Sequence, residues 1–346
     1  MRTVFWEDDK VKMIDQRILP ARFEVISFSD YKSVARAITD MVVRGAPAIG
    51  ATAAFGLALA GFESASLTTR ELIADLQAAA ATLKAARPTA VNLAWAVDRV
   101  LRIAYSVKGS ADDLRAAVLD EAQKIADEDV EINKRMAEHG ATLIHDGDTI
   151  IHHCNTGALA AVDWGTALGV IRTAHEQGKK IHVLVDETRP RLQGARLTAW
   201  ELEQYGIPYE IISDNTAGYF LKAGKAQKCF VGSDRTAANG DVANKIGTYM
   251  LALAAHDNGV PFYPVVPTST IDLSLAHGEQ IPIEERDTEE VLGLEFKGER
   301  VTPKNAKARN IAFDVTPNRL VTAIVTENGI AYPPFETSLQ KVVLGE

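Results

Sequence analysis

Cysteine and long hydrophobic runs are scarce in this chain of 346 residues, and each scarcity excludes a class of protein. Two cysteines, Cys154 and Cys229, are too few for a disulfide framework and lack the spacing of a zinc site. The apolar stretches LALAGFESAS and MLALAAHDNG are shorter than a membrane span requires. The opening MRTVFWEDDK lacks the basic start and apolar run of a signal peptide. We therefore expect a cytoplasmic protein with reduced thiols and no membrane partner.

Positively charged residues are also fewer than negatively charged ones. The chain has 37 Lys and Arg against 46 Asp and Glu, a formal net charge of −9, and no basic block long enough to follow a nucleic-acid backbone. An acidic protein binds an anion through a few placed arginines and backbone amides instead of a broad positive field. Nucleic acid is therefore not expected as a partner, whereas a small anionic molecule is compatible with this charge.

Two nucleotide-binding motifs are missing as well. The segment CNTGALAA supplies one glycine where the dinucleotide fingerprint G-x-G-x-x-G needs three, and RGAPAIG lacks the Lys-Ser/Thr ending of a P-loop. Asp186 stands where a ribose-binding acid is found in dehydrogenases, but one acid alone is weak support. The sequence therefore predicts neither a nicotinamide nor ATP as a cofactor.

The order of the predicted elements indicates two domains. Three short strand-like segments open the chain, helical periodicity follows, and from residue 146 short apolar strands alternate with helices. Continuous apolar strands of this kind are typical of a buried parallel sheet. We expect an α/β protein with a mostly helical N-terminal domain at 1–145, which includes short strands. A Rossmann-like C-terminal domain with a mainly parallel sheet is expected at 146–346.

Polar clusters follow four successive predicted strands of the second domain. They are CNTG at 154–157, DETR at 186–189, SDNT at 213–216 and GSDR at 232–235. Ligands of open α/β sheets bind outside the carboxyl ends of the strands. One such cluster is explained by helix capping, but four together indicate a shared pocket. Most free cysteines are inert and buried, so Cys154 by itself decides nothing.

Two arginine motifs in the first domain suit a phosphate. RGAPAIG places Arg44 before a glycine-rich turn that opens an apolar helix, where backbone amides bind anions. RPTAVNL places Arg87 before Pro88 at the entrance to another helix. Each motif alone also fits a tight helix contact with a surface arginine. Two arginines that bind one dianion would explain both.

Six strings together resemble one family. RGAPAIG, RPTAVNL, HCNTGALA, DETRPRLQGARLTAWEL, DNTAG and GSDRTAANGDVANKIGTY are similar to methylthioribose-1-phosphate isomerases of methionine salvage. The resemblance runs from FWEDDKVKMIDQRILP to VTPNRLVTAIVTENGI, essentially the whole chain. It implies an aldose–ketose isomerase that converts 5-methylthioribose 1-phosphate to 5-methylthioribulose 1-phosphate. It also implies a homodimer that uses no metal or organic cofactor.

The resemblance assigns site residues too. The family's catalytic residues fall on Cys154 and Asp234, and its substrate-binding residues fall on Arg44, Gly45, Ala46, Arg87, Gln193, Asn244 and Lys245. The anomeric oxygen is phosphorylated, so the enzyme must protonate the ring oxygen before the furanose opens. Asp234 suits that role if burial raises its pKa and if Arg235 points away. Hydrogen then moves from C2 to C1 as a hydride, which small apolar flanking stretches favour, or through a cis-enediol with Cys154 as base.

Three functions remain open on the residues alone. They are the isomerase, a non-catalytic translation-regulatory subunit on the same fold, and an isomerase of 5-deoxyribose 1-phosphate or ribose 1,5-bisphosphate. A scaffold has no need for a reactive pair such as Cys154 and Asp234. A bisphosphate needs a second basic cluster, which the sequence does not reveal, whereas a 5-deoxy sugar is smaller and equally neutral at that position.

Overall fold

The computed structural model describes residues 1–88 and 90–345. Thr89 of the motif RPTAVNL and Glu346 of the predicted second domain therefore lie outside the described residues. The chain divides into two compact units: unit 1 comprises Met1–Asn133 and Gly157–Gly165, and unit 2 comprises Lys134–Thr156 and Thr166–Glu346. The predicted domain boundary after residue 145 remains a prediction.

Unit 1 begins with a small antiparallel sheet and continues as helices. The sheet has the order β1 (Val4–Glu7), β2 (Lys10–Ile14) and β3 (Val25–Phe28). The helices are α1 (Tyr31–Thr39), α2 (Ala46–Glu63), α3 (Thr69–Ala86), α4 (Val91–Ser106) and α5 (Ala111–Ala141), whose last turns belong to unit 2. Asp30 and Thr68 accept backbone N–H groups at the starts of α1 and α3, which is why these helices begin there.

Helix α2 forms the core of unit 1. Every residue at 48–61 is buried, because its alanines and glycines let α1, α3 and α4 pack closely around it. By length and composition α2 is the one described helix able to cross a membrane, with a mean hydropathy of 1.3 over 18 residues. The stretch LALAGFESAS begins inside α2, which extends the apolar segment towards the N-terminus. Of this 18-residue window, 78% is buried, as is typical of a helix in a protein core.

Unit 2 is built on a five-stranded sheet in which every pair of neighbours is parallel. Its order is β10 (Phe262–Pro264), β7 (Lys228–Val231), β4 (Thr149–His152), β5 (His182–Asp186) and β6 (Tyr209–Ile212). The connecting helices are α6 (Ala167–Glu176), α7 (Ala199–Tyr205), α8 (Ala217–Lys222) and α9 (Thr248–Asp257). The predicted α/β fold class, helical first and then mainly parallel, is confirmed.

A second, mixed sheet stands beside this one in unit 2. Its order is β11 (Ile271–Asp272), β8 (Arg235–Ala237), β9 (Val242–Lys245) and β14 (Phe313–Thr316), with β9 antiparallel to both neighbours. The remaining elements are β12 (Glu295–Phe296), β13 (Glu299–Arg300), β15 (Ile324–Thr326), β16 (Gly329–Ala331), α10 (Glu289–Leu292) and α11 (Phe335–Leu344). Strands β8 and β9 carry the residues that follow GSDR, so this sheet positions part of the candidate site.

Candidate active site

Cys154 follows β4 at the carboxyl edge of the parallel sheet, with 7% of its side chain exposed. Its φ is +70°, a left-handed conformation that residues with side chains rarely adopt. Two threonines hold it there: the Cys154 N–H donates to Thr188 Oγ1 (2.9 Å), and Thr198 Oγ1 donates to the Cys154 carbonyl (2.7 Å). Backbone strain held in this way clusters at active sites.

The turn after β5 supports this arrangement and packs against the π-helical segment Gly194–Thr198. A Cβ added at Gly194 would lie 1.7 Å from the carbonyl oxygen of Asp186, so only glycine fits. Gln193, directly before it, is buried, and its Oε1 accepts no hydrogen bond from the described residues. A buried amide oxygen without a donor is costly, and a ligand hydroxyl would satisfy it.

Lys245 ends β9 in a buried position. Its Nζ donates to a backbone carbonyl 2.7 Å away and lies 4.4 Å from the centre of the Phe313 ring. Burial, and then the charge of Arg286, lower the pKa of Lys245, whereas Cys154 and Asp234 act in the opposite direction. Lys245 therefore shares one electrostatic environment with both predicted catalytic residues. Asn244, beside it on β9, is also buried.

Asp234 lies at the start of β8, where its N–H donates to the carbonyl of Ala243 (2.9 Å), the neighbour of Asn244. Its side chain is exposed, so the structure does not supply the burial that a general acid at this position requires. Arg235 is bound to Asp272, with 3.0 Å between Nη1 and Oδ2, and its charge is thereby partly neutralised. Of the predicted residues of unit 2, Cys154 and Asp234 follow strands of the parallel sheet and Asn244 and Lys245 end β9, whereas Gln193 precedes the π-helical segment that packs against β5.

The other predicted residues, Arg44, Gly45, Ala46 and Arg87, belong to unit 1. Gly45 is the N-cap of α2 with a φ of +91°, and no side chain caps this helix. A Cβ added at Gly45 would lie 2.1 Å from the carbonyl oxygen of Ala160. Arg87 directly follows α3 and precedes α4, and α2 and α4 approach closely at Gly50 and Asn92, near the start of each helix. Unit 1 therefore places the two arginine motifs at neighbouring helix ends.

Three side chains of unit 2 could hold a metal ion. Donor atoms of His153, Asp186 and Asp214 lie within 4.8 Å of one another. His153 Nδ1 is hydrogen-bonded to Asp186 Oδ2 (2.8 Å), and Nε2 donates to the carbonyl of Ile246 (2.9 Å). Both ring nitrogens are therefore engaged, and a metal would have to displace one of these hydrogen bonds.

Sequence reasoning missed several of these roles. It considered Asp186 as a ribose ligand and as part of the DETR cluster, but not as the acid that binds His153. Thr188 was visible in the DETR cluster, but Thr198 had no signal because it lies inside a helical stretch. The two adjacent histidines are bound to different strands: His152 Nδ1 is hydrogen-bonded to a carbonyl of β7, and His153 Nδ1 to Asp186 at the end of β5.

Comparison with known proteins identifies the family. Residues 42–333 match the Initiation factor 2 subunit family. A protein of Synechococcus sp. named methylthioribose-1-phosphate isomerase is 52% identical over 343 residues, which cover 99% of this chain and 98% of that protein. The chain belongs to the methylthioribose-1-phosphate isomerase family. The family predicted from the sequence is confirmed, and it is a family of enzymes.

Solved structures support this family assignment. The 5-methylthioribose 1-phosphate isomerase of Pyrococcus horikoshii OT3 has a TM-score of 0.94 and 46% identity, covering 100% of this chain and 96% of that one. A structure from A. fulgidus described as translation initiation factor eIF-2B, subunit delta, has a TM-score of 0.91 and 44% identity, covering 99% of both chains. The fold of the methylthioribose-1-phosphate isomerase family is thus shared with a protein named for translation.

Proposed function

We propose that the protein converts 5-methylthioribose 1-phosphate to 5-methylthioribulose 1-phosphate. The observation that carries the proposal is the 52% identity, across nearly the full length of both chains, with a relative that is named for this substrate. The strained, doubly held Cys154 supports an enzyme over a silent scaffold. The predicted compartment is the cytoplasm, and neither Cys154 nor Cys229 forms a disulfide bond.

Purified protein supplied with three sugars tests this proposal. Formation of the ketose phosphate is followed for 5-methylthioribose 1-phosphate, 5-deoxyribose 1-phosphate and ribose 1,5-bisphosphate. The first sugar is expected to give the highest kcat/KM, with the 5-deoxy sugar next because its substituent is neutral and smaller. Faster turnover of ribose 1,5-bisphosphate would replace the proposed substrate, and no turnover of any of the three would remove the proposed reaction.

The proposed chemistry divides between two groups of residues. Asp234 protonates the ring oxygen, so that the C1–O bond to the ring breaks and the sugar opens. Because Asp234 is exposed, the bound sugar has to exclude water from its carboxyl group before Asp234 can act as an acid. When hydrogen passes from C2 to C1 as a hydride, C2 becomes a carbonyl, and Cys154 takes up the proton that the 2-hydroxyl group loses. Gln193 supplies an acceptor for a sugar hydroxyl.

Arg44 and Arg87 bind the phosphate in this proposal. Replacing either with alanine is expected to weaken binding of a sugar 1-phosphate by about 1.5–3 kcal/mol, because a charge-assisted hydrogen bond is lost. Titration calorimetry measures the change in Kd, and Arg70→Ala, an arginine in the first turn of α3, serves as the control. If Arg44→Ala and Arg87→Ala bind the sugar 1-phosphate as tightly as the control does, neither arginine binds the phosphate and both have a structural role.

A regulatory role in translation is the second candidate, because the A. fulgidus protein at 44% identity is named for translation initiation. Cys154 and Asp234 argue against it, since a subunit without catalysis needs neither. The two functions differ in one measurement. A regulatory protein gives no ketose phosphate in the assay above, whatever sugar is supplied.

The predicted homodimer is also part of this proposal. Tyr219 on α8 and Met250 on α9 are 65% and 66% exposed, and the two helices pack together where Gly218 meets Ala254. We expect sedimentation to show a dimer, and Tyr219→Asp combined with Met250→Asp to shift it towards a monomer. Leu67→Asp, at an 88% exposed leucine of unit 1, is the control. A stable wild-type monomer would contradict the prediction.

A further inference from the structure

The buried histidine before Cys154 carries a proton on at least one defined nitrogen. A carbonyl oxygen can only accept a hydrogen bond, so the 2.9 Å contact between His153 Nε2 and the Ile246 carbonyl requires a hydrogen on Nε2. The 2.8 Å contact between Nδ1 and Asp186 Oδ2 contains a second proton. That proton belongs either to the imidazole, as an ion pair, or to the carboxyl group.

The surrounding charges favour the ion pair. Burial opposes a positive His153, but the hydrogen bond and charge of Asp186, and then the charge of Asp214, hold the pKa of the imidazole above its usual value. Burial raises the pKa of Asp186 to about 6, while the hydrogen bond and charge of His153 act in the opposite direction and favour the carboxylate. Asp314 also faces this pair, and burial lowers the pKa of His152 to about 4, which leaves that neighbour neutral.

The same histidine connects three parts of the site. It follows β4, it is bonded to Asp186 at the end of β5, and it is bonded to Ile246 directly after β9. A Cβ added at Gly247 would lie 2.8 Å from His153 Cε1, so the ring occupies the space beside this glycine. Cys154 is the next residue on one side of this connection, and Lys245 precedes Ile246 on the other.

We propose that His153 and Asp186 form a buried, charged positioning pair that fixes Cys154 relative to the Asn244–Lys245 end of β9. The pair touches neither sugar nor phosphate; it acts through the residues that it holds. As a role in catalysis it rests on the proposed isomerase function. Within this pair Asp186 Oδ2 is bound to His153 Nδ1, whereas the buried Asp186 Oδ1 accepts no hydrogen bond from the described residues.

Asp186→Asn tests the pair, because asparagine keeps the shape and a hydrogen bond to Nδ1 but removes the charge. In wild type, nitrogen NMR of labelled histidines is expected to show both ring nitrogens of His153 protonated at neutral pH. In Asp186→Asn only Nε2 is expected to keep its proton. We expect kcat to fall by up to about a hundredfold with little change in KM, as for a displaced catalytic group. His152→Gln, an equally buried neighbouring histidine bonded to β7, is the control and is expected to keep kcat.

A second readout does not depend on the sugar. Alkylation of Cys154 by iodoacetamide is expected to be faster in Asp186→Asn and His153→Gln than in wild type or His152→Gln. Both changes disrupt the positioning pair, so the backbone that carries this nearly buried thiol becomes more mobile. If wild type isomerises none of the three sugars, this readout still decides the positioning role. A singly protonated His153 in wild type, a stoichiometric metal, or unchanged alkylation in Asp186→Asn would each overturn the proposal.

Discussion

Cys154→Ser and Asp234→Asn are each expected to lower turnover of 5-methylthioribose 1-phosphate by about a hundred- to ten-thousand-fold, since a positioned acid or base typically contributes that much. Both changes conserve size, so the backbone N–H groups of residues 154 and 234 can still donate to Thr188 Oγ1 and to the Ala243 carbonyl. The serine hydroxyl takes the place of the thiol but is far less acidic. The asparagine keeps hydrogen bonding but cannot deliver a proton to the ring oxygen.

The chain offers a matched control for each substitution. Cys229→Ser changes the other free cysteine, which is fully buried in β7 and whose thiol pKa is raised by that burial. Asp257→Asn changes an exposed carboxylate at the end of α9. Both controls are expected to keep kcat per folded molecule, measured by initial rates after circular dichroism has shown intact folds. Near-normal kcat in Cys154→Ser or Asp234→Asn removes that residue from its proposed role.

The exposure of Asp234 makes a further distinction within this prediction. If the sugar must cover the carboxyl before it can act as an acid, then Asp234→Asn lowers kcat while the affinity for the sugar phosphate changes little. A large loss of affinity with unchanged kcat would instead mark Asp234 as a binding residue. Single-turnover kinetics separate these cases, because they measure chemistry apart from binding.

The strand ends of the parallel sheet could be predicted from the sequence. The clusters at 154–157, 186–189, 213–216 and 232–235 each follow a short apolar strand, and β4, β5, β6 and β7 are neighbours in the sheet. For β4, β5 and β7 the prediction works because a strand buried on both faces has a mostly apolar sequence that ends abruptly in polar residues, whereas the edge strand β6 is partly exposed. The residues that follow these parallel strands therefore lie at the same edge of the sheet.

The supporting contacts could not be predicted in the same way. Thr198 holds the Cys154 carbonyl from within a π-helical segment, and a threonine in a helical pattern has no local signal for such a bond. Strand β9, Val242–Lys245, is four residues long and lies between glycine-rich turns, too short for alternation to reveal it. Its partners β8 and β14 are distant from one another in sequence, so the mixed sheet depends on long-range pairing.

Gly45→Ala is expected to have the second large effect, because two separate costs meet at this residue. A φ of +91° is unfavourable for alanine, and left-handed conformations cost about 1–2 kcal/mol for residues with a Cβ. In addition, the new Cβ would lie 2.1 Å from the Ala160 carbonyl oxygen, so α2 or the segment Ala158–Ala160 has to move. That movement would disturb the uncapped start of α2, where the phosphate is proposed to bind.

Gly178→Ala separates these two costs, since Gly178 has a φ of +87° but a Cβ there meets nothing within 4 Å. Thermal unfolding is expected to show a modest fall in Tm for Gly178→Ala, from the backbone conformation alone, and a clearly larger fall for Gly45→Ala. Calorimetry with a sugar 1-phosphate is expected to show weaker binding in Gly45→Ala and wild-type binding in Gly178→Ala. If the two variants lose the same stability and bind alike, the close approach of Gly45 to Ala160 is neither a structural constraint nor a part of phosphate binding.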